Sequence, residues 1–162
     1  MDESTLGEER ARWLEDAVEG LIGRVERLGA DHLYQGPGPG EWSAMQVLAH
    51  VAEAVPYWAR QARMVASRSE DDLPFGRTHD DTDRIAAVER HAHDPLDEVL
   101  PRLRTGLAEA VATLRAIPAE GWSRVGRHAR RGEMTVQQIV DQFLVSHVEE
   151  HALQIEAALG RG

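Results

Sequence analysis

Hydrophobic positions recur at helical spacing in four segments of the chain, and no segment shows convincing strand alternation. The first helix is predicted from about Thr5 to Leu28, with Thr5 and Glu8 as a capping box at its start. A loop rich in glycine and proline at 36–40 cannot continue that helix. The second helix is predicted from Ser43 toward Ser67, and Ser43 opens it with a second capping box.

The third helical region is predicted in two pieces. Ile85 and Val88 mark the first piece, and Asp94 with Pro95 is typical of an N-cap and a first-turn proline of the second. A loop over 117–133 then leads to the last helix. The third region therefore contributes one long bundle helix and one short helix before it.

The fourth helix is predicted from Thr135, where Gln138 completes a capping box, to Leu159 before the C′ glycine Gly160. With four amphipathic helices and no repeat, the pattern predicts one all-α domain over residues 1–162, a four-helix bundle.

Composition narrows the functional classes. The net charge of −10 argues against a nucleic-acid partner. No apolar run reaches the length of a membrane span, so we expect a cytoplasmic protein. The absence of cysteine excludes a thiolate ligand or a cysteine nucleophile, and the absence of lysine excludes a Schiff base. All 18 basic residues are arginine, a usage typical of a genome rich in G and C.

Three histidines carry the candidate chemistry. His147 and His151 are four residues apart in the last helix and share its apolar face, and His50 lies at one border of the apolar arc of the second helix. Imidazole is the commonest metal-binding side chain, and three such ligands leave one coordination position open in a catalytic zinc site. We therefore predict a metal site formed by His50, His147 and His151, at the edge of a cleft.

This hypothesis has a topological consequence. His50 lies about 10 Å from the start of its helix and His151 about 12 Å from the end of the last one, so they are level only if these helices are antiparallel. A simple up-down-up-down bundle would make them parallel. The metal hypothesis thus requires an up-down-down-up order, which the linker over 69–79 is long enough to permit, since it can span about 36 Å.

The alternative is that the histidines are core residues hydrogen-bonded to their neighbours. If they bind metal, the groups that accept their second N–H are expected among Glu53, Glu150 and Gln154. The remaining histidines are interpreted as surface residues: His32, His79, His91, His93 and His128.

Two blocks of the sequence resemble the DinB superfamily. One is Trp42-Ser43 together with residues 47–53, Val-Leu-Ala-His-Val-Ala-Glu. The other is the last helix from Thr135 through residues 147–155, His-Val-Glu-Glu-His-Ala-Leu-Gln-Ile. The similarity covers nearly the whole chain in layout, but only these two blocks are specific.

The resemblance implies an up-down-down-up bundle with a divalent metal, most simply zinc or nickel, on His50, His147 and His151. Family members include thiol-dependent S-transferases and isomerases that use bacillithiol, mycothiol or glutathione, and the apparent G/C-rich source favours mycothiol. The resemblance also suggests a homodimer.

Three other features of the sequence each allow two interpretations. Residues 147–151 fit the inverted zincin motif H-x-x-E-H, but only eleven residues follow His151, too few for the further acidic ligand that such a protease needs. Tyr57 could orient a substrate or simply pack at the rim of the bundle. The basic cluster of the 117–133 loop could hold an anion or be a solvated surface; its members are Arg124, Arg127, Arg130 and Arg131.

Three functions remain open from the sequence. The first is a metal-dependent thiol S-transferase or isomerase, in which the thiol comes from a small cosubstrate. The second is a hydrolase that uses a metal-bound water with Glu53 or Glu150 as base. The third is a metal-binding stress protein without catalytic activity.

Overall fold

The computed structural model describes residues 4–28 and 32–159. The helices are α1 (Ser4–Glu26), α2 (Ala44–Ser67), α3 (Thr82–His91), α4 (Leu96–Ala116), α5 (Val136–Ile139) and α6 (Ser146–Leu159), and a π-helical segment, Val140–Val145, joins the last two. The strands are β1 (Leu73–Phe75), β2 (Val125–His128) and β3 (Gly132–Thr135). None of the described helices combines the length and apolar character needed to cross a membrane.

The long helices form a four-helix bundle with the predicted up-down-down-up order. Two contacting pairs of residues show the relative direction of two helices. The residue numbers increase together along both helices if these are parallel, and increase along one while decreasing along the other if they are antiparallel. By this criterion α4 is antiparallel to α1, α2 is parallel to α4, and the terminal helix is parallel to α1. The pairs are Glu8–Arg115 and Glu19–Arg104, Ala52–Gly106 and Arg60–Glu109, and Arg10–Asp141 and Arg24–Glu156.

Apolar faces at the predicted spacing form the core between these helices. On α1 the fully buried positions follow one another at three- and four-residue steps, as the sequence pattern predicts. Gly7 allows α1 to approach α4, because a Cβ there would lie 2.5 Å from the carbonyl oxygen of Leu114. The buried apolar residues of α1 are Ala11, Leu14, Val18, Leu21, Ile22 and Val25.

Helix starts were predicted well in two cases and wrongly in two. Ser43 and Thr135 both form the expected capping boxes. Thr5 does not cap α1, since the helix already includes Ser4, and the Glu8 carboxylate instead accepts hydrogen bonds from Arg115. Asp94 is also not an N-cap. The capping position belongs to Pro95, and the Asp94 carboxylate bonds His91 and Arg102. The predicted C′ glycine, Gly160, lies outside the described residues.

The two segments predicted as loops contain a small sheet, which corrects the expectation of an all-helical chain without strands. Strand β1 pairs in parallel with β2, and β2 pairs antiparallel with β3. The strands have only three or four residues each, too few for hydrophobic alternation to distinguish them from loop. The sheet packs against the C-terminal half of α2, where Gly126 faces Val65 and Gly76 faces Trp58, and its β2–β3 turn reaches the pocket beside the histidines.

Candidate metal centre

The three predicted ligands meet at one point. Nε2 of His147 lies 3.2 Å from Nε2 of His50 and 3.0 Å from Nε2 of His151. The ligand atoms of all three lie within 4.8 Å of one another. Helix periodicity brings His151 beside His147, and the antiparallel packing of α2 and the terminal helix brings His50 level with both.

The spacing of the three nitrogens fits a small metal ion. Nitrogens bound at 2.0–2.1 Å to a tetrahedral ion lie about 3.3 Å from one another. The two separations from Nε2 of His147, 3.2 Å and 3.0 Å, are close to this value. Hydrogen bonds alone explain the arrangement less well, since the single Nε2 of His147 faces two other ring nitrogens and can only donate or only accept.

The Nδ1 atoms of His50 and His151 differ in their hydrogen bonding. Nδ1 of His151 lies 2.9 Å from Oε1 of Gln154, so the Gln154 oxygen can accept the second N–H and leave Nε2 free as a ligand. Nδ1 of His50 is buried without a hydrogen-bond partner among the described residues. Gln154 is thus the one predicted supporting residue that contacts a histidine ring.

Burial keeps the three imidazoles neutral. It lowers the pKa of His50 to about 2 and the pKa of His147 to about 3, and repulsion from the neighbouring histidines and from arginines adds to the effect. The pKa of His151 is lowered as well, first by burial. Neutral imidazole is the form that can bind metal, so the lowered pKa values are compatible with a metal site at neutral pH.

The position of His50 differs from the prediction. The sequence pattern placed it at the edge of a cleft, but only 2% of its surface is exposed. The rings of Trp42 and His151 pack against it, at centroid distances of 5.3 Å and 5.1 Å. The site reaches solvent past His147 and His151, which are partly exposed.

A polar pocket of about 450 Å³ opens onto the histidines. Its floor includes His50 and His147, and one acidic side chain, Glu150, lies on its wall. The other expected acid, Glu53, forms an ion pair with Arg77. Residues lining the rest of the pocket come mainly from three places, the segment after β1, the β2–β3 turn and the π-helical segment: Arg77, Thr78, His79, Arg130, Arg131, Gln142 and Phe143.

His128 was predicted to be a surface residue, and this prediction is wrong. It lies on β2 and is buried, with 5% of its surface exposed. Its Nε2 donates to the carbonyl oxygen of Arg77 at 2.9 Å, and its Nδ1 accepts from the backbone N–H groups of Arg130 and Arg131 at 3.2 Å each. One imidazole therefore joins two walls of the pocket. The sequence carries no signal for this role, because a strand of four residues is too short for hydrophobic alternation to distinguish it from a loop.

The basic cluster of the sequence is divided by the fold. Arg124 and Arg127 point away from the pocket, where they pair with Asp71 and Asp72. Arg130 and Arg131 line the pocket. Tyr57, the other proposed substrate contact, packs under Arg77, whose guanidinium lies 3.9 Å from the ring centroid. Tyr57 thus supports the wall and does not line the pocket beside the histidines.

A π-helical segment precedes the two histidines of the terminal helix. Such segments are rare and occur often at functional sites. Here the segment places Gln142 and Phe143 on the pocket wall, and Phe143 stacks on Trp58 at a centroid distance of 4.1 Å. The helical pattern of the sequence does not distinguish this geometry from an ordinary α-helix.

Comparison with known proteins agrees with the geometry. The sequence profile of the DinB superfamily matches residues 13–155, nearly the whole chain. The chain belongs to the DinB superfamily. None of the curated proteins matches it by sequence.

Several solved structures share the fold of this DinB-superfamily chain. YfiT from Bacillus subtilis, described as a probable metal-dependent hydrolase with an unusual four-helix bundle topology, superposes with a TM-score of 0.78 at 19% identity, over 96% of this chain and 86% of that one. The mycothiol-dependent maleylpyruvate isomerase has a TM-score of 0.73 at 14% identity, and the match covers 92% of this chain and 60% of that one. TT2238, a four-helix bundle protein, has a TM-score of 0.66 at 18% identity, over 93% and 98%.

Proposed function

We propose that this protein is a metal-dependent enzyme whose His50, His147 and His151 bind one divalent ion, with zinc or nickel as the first candidates. The observation that carries the proposal is the convergence of three neutral, largely buried imidazole nitrogens at distances suited to a tetrahedral ion. The match to the DinB superfamily and the fold shared with YfiT, described as a probable metal-dependent hydrolase, support it.

The first candidate reaction is thiol transfer or isomerisation with a small thiol cosubstrate of the mycothiol type. A bound divalent ion supplies Lewis acidity, which lowers the pKa of a coordinated thiol or water toward neutrality. The chain has no cysteine, so a thiol nucleophile must come from outside it. The fold is shared with a mycothiol-dependent isomerase, which makes this class of cosubstrate worth testing first.

The chain's own residues have simple roles in this scheme. Gln154 accepts the N–H of His151 and orients that ring. Trp42 and the core of α2 exclude water from the side of His50. The pocket admits the reactants from the opposite side, past His147.

Hydrolysis is the second candidate, and Glu150 favours it. This carboxylate lies on the pocket wall and on the same helix as His147 and His151, where it can take a proton from a water molecule near the histidines. Glu53 is the weaker candidate base because it is paired with Arg77. The fold of YfiT, described as a probable metal-dependent hydrolase, is in line with this alternative.

Two measurements test the proposal. Purified protein without a tag is analysed for metal and then titrated with zinc and nickel, and about one ion per chain is expected. The loaded protein is next assayed with electrophiles in the presence and absence of mycothiol, and with ester and amide substrates. Turnover that requires the thiol supports the first candidate, whereas turnover that needs no thiol and is lost in Glu150→Gln supports the second.

Metal uptake without turnover of either kind would favour the remaining hypothesis, a non-enzymatic metal-binding protein. Failure to bind zinc or nickel would remove the basis of all three. The homodimer suggested by the family resemblance stays a prediction, for which light scattering of the purified protein is the direct measurement.

A further inference from the structure

The pocket beside the histidines has a strongly basic lining. Four of its lining residues are arginines, and Glu150 is the one acidic residue that lines it. The chain as a whole carries a net charge of −10, so this concentration of positive charge runs against its composition. The arginines are Arg77, Arg84, Arg130 and Arg131.

Arg77 is the neutralised member of the group. Its guanidinium pairs with the carboxylates of Glu53 and Asp81, and it stacks on Tyr57. These contacts compensate the positive charge of Arg77, whose side chain has only 8% of its surface exposed. Arg77 therefore serves mainly to hold the segment after β1 in place.

Arg84 is different, because it forms no ion pair with a carboxylate of the described residues. Its guanidinium donates to the carbonyl oxygen of His79 and lies 5.3 Å from the ring centroid of Trp42. That ring in turn packs against His50 and His151. Burial, first, and the nearby charge of Arg77 lower the pKa of Arg84, and the more distant carboxylates of Glu53 and Asp81 offset part of this shift.

Arg131, like its neighbour Arg130, also forms no ion pair with a carboxylate of the described residues. Its guanidinium donates to Oε1 of Gln142 and lies 5.0 Å from the ring centroid of Phe143, again without a carboxylate partner in the described part of the chain. Its backbone N–H is held by Nδ1 of His128, which fixes the turn that carries it. A buried imidazole used to position a charged turn indicates that the placement of that turn matters.

We propose that the pocket binds its substrate through an oxyanion, a carboxylate or a phosphate, held by Arg84 and Arg131 beside the three histidines. Guanidinium groups present paired N–H donors that match both anions. An anion would supply the negative charge that this wall lacks, and the pocket volume of about 450 Å³ suits a small molecule. The inference extends the proposed function by naming a substrate class for the same site.

The test uses the metal-free protein, so that it does not depend on the proposed metal. Malonate, inorganic phosphate and the neutral malonamide are titrated at constant ionic strength, and binding is followed by calorimetry and by NMR shifts of pocket residues. We expect at least one of the two anions to bind and malonamide not to bind. The preferred anion then distinguishes a carboxylate substrate from a phosphorylated one.

Substitutions locate the binding. Arg84→Gln and Arg131→Gln are each expected to lower the affinity for the preferred anion about tenfold or more, because each substitution removes one charge-assisted contact. Arg127→Gln is the matched control, since Arg127 lies on the same hairpin but pairs with Asp72 outside the pocket. Circular dichroism confirms that each variant is folded, and Arg131, being exposed, gives a variant that does not disturb the core.

The outcomes are distinguishable from those of the metal proposal. Anion binding that weakens equally in all three variants, or that is absent in the wild type, overturns the inference even if the protein takes up zinc. Binding that depends on Arg84 and Arg131 supports it even if no metal binds, and only the proposed metal function would then be wrong.

Discussion

The two sides of the pocket are built from different kinds of structure. The histidine side rests on long helices, where one helical turn sets the distance between His147 and His151. The arginine side rests on the short helix α3, which carries Arg84, and on the turn between β2 and β3, which carries Arg131 and depends on the pairing of those strands. Residues that share one helix can be predicted from the sequence to lie close together, whereas residues on separate connecting segments cannot.

The largest expected effect comes from removing a histidine. His147→Ala deletes the nitrogen that lies between the other two, and we expect zinc content to fall from about one ion per chain to near zero. His93→Ala is the control, since His93 is exposed and contacts Tyr34 instead. Full zinc occupancy in His147→Ala, measured by mass spectrometry, would contradict the proposed centre.

A smaller effect is expected from the residue that orients His151. Gln154→Leu removes the acceptor for Nδ1, and loss of such outer hydrogen bonds typically weakens metal affinity by about 10- to 100-fold. Gln137→Leu, on α5 and without a contact to the histidine rings, serves as the control. Competition with a chromophoric chelator measures both affinities, and equal values for the two variants would remove Gln154 from the site.

The arginine side can be disturbed separately through His128. His128→Phe keeps a ring in the core but removes three hydrogen bonds, so we expect the free energy of unfolding to fall by about 1–3 kcal/mol. Urea denaturation measures this change. Zinc content should stay at the wild-type level, because His128 contacts none of the three histidines. Loss of zinc together with stability would show that the two sides are not independent.

The smallest effect is a pH dependence of stability in the metal-free protein. Since folding lowers the pKa of the three histidines, the unfolded chain binds more protons below about pH 6.5, and stability is lost as the pH falls. His147→Leu should make the loss between pH 7 and pH 5 shallower, by less than about 1.4 kcal/mol per pH unit, the limit for one proton. Urea denaturation at both pH values measures it, and identical slopes would contradict the burial of a neutral His147.

The sequence predicted more of the fold than of the pocket. Helical spacing of the apolar residues located the bundle helices, and the capping boxes at Ser43 and Thr135 fixed two helix starts. The depth of His50 and His151 along their helices also led to the correct helix order, because only antiparallel helices bring the two residues level. These inferences succeeded because each depends on local geometry that a helix imposes on its sequence.

The predictions that failed depend on contacts distant in the sequence. In the sequence His128 resembles a loop residue, but β2 places it between two walls of the pocket. The basic cluster resembles a single patch, but Arg127 binds Asp72 and Arg131 binds Gln142. The exposure of His50 was also misjudged, since Trp42 and His151 cover it only in the folded state.

By itself, the sequence determined the bundle helices and the shared face of His147 and His151, because periodicity and i, i+4 spacing act within one helix. Only the tertiary structure decided which charges face those histidines. Pairing of strands with three or four residues and the choice of a salt-bridge partner depend on the whole chain being folded, and these set the chemistry of the pocket wall.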